Sequence, residues 1–484
     1  WWGVHYFAFF SDGWGVALLT LSLLLILTGC IRSWRIGFIQ KCSPLLKSPL
    51  HPAIVITLVS LGMGVLYYLF PIVNDIYGDA ILLKQSLDTR YDEFPEKYLG
   101  GLTNFDFSPS GGRRFMLAST VQIMVWTGAS YGEALFWICV FCGVGFVVTW
   151  LSFVKHYLES GLWKLTFGII GISGPFMLVY YGHMEFYAIS FWVLLCWILA
   201  MLICLKKPKV ANLAGLTLLL LFAVKVHPTS LLLIPAWLAV LVKRFAKEKW
   251  SKRLLSWRGM ATAFLLPGAA AGAAVYFFVT RDYNDDRILT DTVDTEHIFL
   301  PLFSPDPPLD KYNLFSLYHF FDYFNVVLWW SLPALFLAVV FLMRFRKKIE
   351  WNNPPLLIVG FTFVLFFLFL FTINPLLSMP MDWDLFSTPA VLLIVALVLI
   401  AGQLQHLKVL VQKVLPVCLG LSILSIPVFS VNSSLGPYSK RIESVGIHVF
   451  KSYYEWSEVI LLSAVGMTTK ERVTKDYILR KNAI

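Results

Sequence analysis

Residues Pro52–Phe70 read PAIVITLVSLGMGVLYYLF, nineteen residues without one charged side chain. About 20 such residues in a helix cross the hydrocarbon of a bilayer. Gly15–Ile31, GVALLTLSLLLILTGCI, reads the same way. Similar runs recur along the whole chain. Of its 484 residues 58% are hydrophobic and only 14% charged, with a mean hydropathy of +0.71. A water-soluble core does not need that composition, so the fold class is an all-α polytopic membrane protein. The expected spans are 14–31, 53–73, 132–153, 163–182, 186–205, 211–224, 229–243, 259–280, 326–343, 354–373, 386–402 and 408–430, about twelve in all. The runs 211–224 and 229–243 are short, as tilted spans or as helices broken around His227-Pro228. Segment 114–130 is only moderately apolar and is expected to lie along the membrane surface.

Basic residues orient these spans. The loops RSWRIGFIQKCSPLLK, KHYLESGLWK, KKPK, KRFAKEKWSKRLLSWR and RFRKK, with Lys408, carry 21 Lys and Arg against three acids, Glu159, Glu248 and Glu350. By the positive-inside rule they face the cytoplasm. The formal charge of +10 therefore follows the loops and is no signal for nucleic acid. The opposite face carries loops 74–131 and 281–325 and a polar tail, 431–484, with helical character in KSYYEWSEVILLSAVG. No cleavable signal peptide is evident, and residue 1 is Trp. The cysteines sit mostly inside or beside spans. Cys139 and Cys142 form a CxxC without a second pair, which reads as small core residues.

Charges beside hydrocarbon are costly, so the polar residues on the non-cytoplasmic side are informative. NDIYGDA supplies Asp75 and Asp79, YYGHMEFYA supplies His183 and Glu185, and VKVHPTS supplies Lys225 and His227. MPMDWDLFS supplies Asp382, Trp383 and Asp384; an ordinary helix cap is the plain alternative for its acids. The acids of loop 281–325 are ordinary for a solvated loop, although Arg287 and His297 suit an anion. A carboxylate here can act as a general base toward an acceptor hydroxyl or amine. His, Lys and Arg can hold a phosphate. Trp383, Tyr180 and Tyr181 suit sugar faces or the headgroup layer. A sugar phosphate on a long lipid brings its leaving group to this depth. No nucleotide-binding loop is present.

In NDIYGDA, YYGHMEFYA, KVHPTS and NPLLSMPMDWDLFS the chain resembles the GT-C superfamily, the multi-pass glycosyltransferases that use polyprenyl-phosphate sugars. Protein mannosyltransferase-like and aminoarabinose transferase-like enzymes belong to it. The resemblance covers roughly 53–430. It implies a membrane core over those residues, preceded by an extra span and loop in 1–52 and followed by an external tail, 431–484. It also implies an inverting transfer at the outer face of the cytoplasmic membrane, with an acid of the first external loop as base. Here that role falls on Asp79, with Asp75 as rival; the two stand four apart, where the family often has adjacent acids. His183, Lys225 or His227 would balance the departing phosphate, and Asp382 and Asp384 would bind sugar, metal or acceptor. Asp79, Glu185, Asp382 and Asp384 offer oxygen ligands for a divalent cation. The expected partners are the lipid-linked donor and membrane lipids. The rivals are a transporter or lipid flippase, disfavoured by the missing internal repeat, and a non-catalytic subunit of a membrane assembly.

Overall fold

The computed structural model describes residues 2–3, 5–46, 51–73, 111–183, 185, 187–207, 209–245, 299–303, 312–375, 378–380 and 382–452. Seventeen α-helices are named here in chain order: α1 (Asp12–Cys30), α2 (Arg32–Leu46), α3 (Pro52–Leu69), α4 (Gly111–Thr127), α5 (Tyr131–Tyr157), α6 (Gly161–Ser173), α7 (Tyr187–Lys206), α8 (Val210–Val226), α9 (Ile234–Phe245), α10 (Leu317–Trp330), α11 (Leu332–Phe345), α12 (Pro354–Thr372), α13 (Trp383–Ser387), α14 (Pro389–Gln403), α15 (Lys408–Ile423), α16 (Ile426–Asn432) and α17 (Leu435–Ser452). Among the described residues the only β pairing is an isolated bridge between Phe299 and Ile373.

Eight of the described helical stretches are long and apolar enough to cross a membrane, a multi-pass architecture. Where their surfaces point explains the composition. The stretch through α13 and α14 is 83% buried inside the protein, whereas α1 and α3 are each only 17% buried. Yet α1 exposes Leu19, Leu21, Leu23 and Leu24, and α3 exposes Val55, Leu58, Leu61 and Val65. A helix that is apolar all round belongs in a core or in lipid. For α14 that surrounding is protein, and for α1 and α3 it is hydrocarbon.

The expected count of about twelve is not reached. The helices α6 and α8 are shorter apolar pieces, and 259–280 lies outside the described residues. The span expected at 326–343 is two helices, α10 and α11, which together with the turn after them bend by 97°. The break has a local cause. Ser331 accepts the Ala334 amide proton on its hydroxyl, and Pro333 stands in the first turn of α11. A capping serine and a proline start a new helix rather than continue the old one. Segment 114–130 is helical, as α4, and packs on α5 and α8. In the tail, α16 and α17 reach Ser452, and the rest of KSYYEWSEVILLSAVG lies outside the described residues.

Helix ends sort by charge. The last turns of α5, α7, α9 and α11 carry Lys155, Lys206, Lys243 with Arg244, and Arg344. The starts of α7, α9 and α14, with the ends of α6 and α8, form the opposite end of the bundle. There α8 places Lys225, against the trend.

The peripheral α1 is held by close backbone approach to α15. A Cβ on Gly420 would meet the Ser22 carbonyl oxygen at 2.7 Å, and the Ser22 hydroxyl donates to the Gly420 carbonyl. Backbone cannot swing aside as a side chain can. Gly420→Ala should therefore destabilise the detergent-solubilised protein by about 1–3 kcal/mol. Gly62→Ala, with open space around it, should not. Thermal unfolding monitored by fluorescence distinguishes the two.

Candidate functional site

The site grows from two interrupted helices. After α6, Gly174-Pro175 ends regular helix, and Pro175–Tyr180 continues as a 3-10 turn. Gly182 then takes φ +86, and a Cβ there would sit 2.7 Å from the Phe136 ring. Glycine is the residue that tolerates such a turn. The turn is then clamped at the His183 carbonyl, which accepts the Glu185 amide proton at 2.8 Å and the Cys139 thiol at 3.2 Å.

Facing it is the segment before α13. Ser378 adopts φ 76, in the left-handed region, and its carbonyl accepts from the Asp382 amide at 3.0 Å. The segment delivers Asp384 into the core. One carboxylate oxygen accepts the Leu385 amide proton at 2.8 Å, and the other lies 2.5 Å from His183 Nε2. Glu185 Oε1 lies 3.9 Å from the same imidazole nitrogen. All three side chains are at most 3% exposed. The Trp383 ring lies 5.2 Å from the His183 ring and 5.2 Å from that of Trp329, lining one side.

The break between α8 and α9 adds a third piece. His227 Nδ1 accepts the Thr229 amide proton, which leaves the ring proton of the neutral form on Nε2. Burial pushes the His227 imidazole down to about 4, while the charge of Asp384 pulls the other way. At neutral pH His227 is therefore an uncharged donor. Its ring stands 5.2 Å from that of Tyr187. Lys225 is also buried, with its ammonium 5.6 Å from the Phe115 ring of α4.

Of the residues expected from sequence, His183, Glu185, Trp383 and Asp384 come together, and His227 is electrostatically coupled to them through Asp384. Of the four expected oxygen ligands, Glu185 and Asp384 come together, and Asp79 lies outside the described residues. Among the described residues, the one group placed to hold a metal ion is His183, Glu185 and Asp384, whose ligand atoms lie within 4.8 Å of one another. Asp382 is not in it. Asp382 precedes α13 with a non-helical backbone, whereas Asp384 lies within its first turn. Nor does the Asp382 side chain cap that helix. Asp75, Asp79, Arg287 and His297 lie outside the described residues. The chain leading to the two acids is described as far as Val73, where the Ile72 amide donates to the Tyr181 carbonyl at 2.8 Å.

Sequence reasoning read Cys139 only as a small core residue, without its bond to the His183 carbonyl, and missed Trp329, which carried no signal beyond apolar surroundings. It also missed Asp322, fully buried in α10, which takes hydrogen bonds from Trp2, Tyr312 and His448.

Chemically, the arrangement can do two things. A carboxylate-bonded imidazole is oriented to pass a proton or to hold an anion. One imidazole with two carboxylates is also a donor set for a first-row divalent ion such as Mn2+ or Zn2+. Comparison with protein-family models, with curated proteins and with solved structures returned no match. If the three side chains hold a metal, dialysis against Mn2+ should leave about one ion per chain, matching one three-ligand site. Glu185→Gln with Asp384→Asn should abolish binding, and Asp382→Asn should not, as read by electron paramagnetic resonance.

Proposed function

We propose that the chain is a membrane glycosyltransferase. It moves a sugar from a polyprenyl-phosphate donor to an acceptor at the face opposite the basic loops, taken as the outer face of the cytoplasmic membrane. The observation that carries this reading is the buried His183–Asp384 pair with Glu185 beside it and His227 coupled to it. Polar groups buried at one end of an apolar bundle suit a charged headgroup whose lipid tail stays in hydrocarbon.

The roles follow from chemistry. Asp79, or failing it Asp75, would take the proton of the acceptor as it attacks the anomeric carbon. The bond from that carbon to the phosphate oxygen breaks, and a single displacement inverts the centre. The leaving polyprenyl phosphate gains negative charge, which Lys225 can meet with a charge-assisted hydrogen bond, as can His183 in a site without metal. His227 contributes a neutral Nε2–H donor. A divalent ion on His183, Glu185 and Asp384 would supply further positive charge. Trp383 offers an aromatic wall for a sugar face. The tether at Ile72 starts the loop that carries both acids beside the His183 turn, which supports a base drawn from that loop.

A carrier for a lipid-linked substrate is the second reading. The 97° bend between α10 and α11 favours it, since transporters build sites from interrupted helices. The two readings separate in liposomes holding the purified chain and a synthetic polyprenyl-phosphate sugar. Release of polyprenyl phosphate with loss of the glycosyl lipid is expected for the transferase. Asp79→Asn should lower that rate by a factor of about 10²–10⁴, as loss of a general base does, with the protein still folded. Full activity in that variant would rule out this base. Movement of intact donor across the bilayer, without turnover, would favour the carrier.

A further inference from the structure

A cavity of about 890 Å3 lies at the other end of the bundle, between the end of α1, the last turns of α11 and the start of α15. Its floor is apolar, with Phe336, Val340, Val414 and Val417. Its mouth is basic. Arg344, Lys408 and Lys413 line it and are exposed, and no acidic residue is among its lining. The close approach of α1 to α15 shapes one wall, since a Cβ on Gly29 would meet the Val417 side chain at 2.6 Å and the Lys413 carbonyl oxygen at 2.7 Å.

A fourth cation stands behind the cavity wall, outside its lining. Arg35 of α2 is 8% exposed, and its Nη1 donates to the carbonyl of Gly29, a residue of the cavity wall. Its buried Nε–H has no acceptor among the described residues. A buried donor without an acceptor is costly, and an anion at the cavity mouth is a chemically suitable partner.

We propose that this cavity binds one anionic phospholipid from the leaflet on the basic side. Its phosphate sits among Arg344, Lys408 and Lys413, with Arg35 behind the wall at Gly29, and its acyl chains lie over Phe336, Val340, Val414 and Val417. An apolar trough open to hydrocarbon, ending in cations at headgroup depth, matches the two halves of such a lipid. Basic pockets between spans on the cytoplasmic side recognise anionic headgroups in this way. A free anion would use the cations but leave the trough empty, and a zwitterionic lipid would use the trough without neutralising the cations. This site is separate from the one around His183 and does not depend on the reaction assigned there.

Native mass spectrometry of the detergent-purified chain titrated with phosphatidylglycerol tests the proposal. One lipid should remain bound under conditions that strip phosphatidylcholine, and sn-glycerol 3-phosphate should not displace it. The combined Arg344→Gln, Lys408→Gln and Lys413→Gln variant should bind about a hundredfold more weakly. Removing the neighbouring charges Arg346, Lys347 and Lys348 in the same way should leave affinity within about twofold, since they lie outside the cavity. Val340→Trp, which fills the floor and keeps every charge, should also abolish retention, and it carries the test if the triple variant does not fold. Equal retention of the two lipids, equal loss from the two charge variants, or unimpaired binding to Val340→Trp would each overturn the site. Displacement by glycerol phosphate would overturn the lipid in favour of a free anion.

Discussion

The hydrogen bond between His183 and Asp384 joins residues 201 positions apart, at 2.5 Å, inside a bundle made mostly of apolar side chains. Neither partner is tolerable there alone. A polar or charged group removed from water costs several kcal/mol unless it is paired. The pair therefore fixes how the turn before α7 faces the start of α13, and the other local features serve that register. Gly182 allows the turn, Cys139 holds its carbonyl, and Ser378 accepts a left-handed backbone so that Asp384 points inward. The Trp330 indole donates to the Phe386 carbonyl at 2.9 Å, tying α10 to the same short helix.

Much of the architecture was legible because bilayer physics is written in composition. Long apolar runs marked α1, α3, α5, α7, α12 and α14 close to their observed bounds, while the run expected at 408–430 covers α15 and most of α16, with a break between them. The α10–α11 break was missed although its signal was present: Ser331 and Pro333 sit in an unbroken apolar run, and hydropathy averaging hides a cap. The site was legible to the extent that intramembrane polarity is rare. His183, Glu185 and Asp384 stood out for that reason. Which acid of Asp382 and Asp384 turns inward depends on where α13 begins, and a two-residue spacing does not fix that. Cys139 and Trp329 are ordinary core residue types whose roles arise only from what they touch.

The two ends of the bundle divide the polar work. At one end the buried groups around His183 are held by backbone turns, which suits fixed geometry. At the other, long exposed Lys and Arg side chains surround an apolar trough, which suits a mobile, partly ordered partner. The spans between them differ in the same sense. The stretch through α13 and α14 is enclosed by protein and carries Asp384, while α1 and α3 meet hydrocarbon over much of their surface and pack along one side, α1 on α15 and α3 on α5.

Trp383 and Trp329, with ring centroids 5.2 Å apart and planes inclined by 48°, are also a pair of coupled chromophores. Two indoles that close share their electronic transitions, and a tilted, fixed arrangement makes the coupling chiral. The pair therefore contributes a near-ultraviolet circular dichroism signal that depends on the α10–α13 contact. Because Trp383 also lies against the His183 imidazole, that signal is sensitive to any change in how the turn before α7 meets the start of α13.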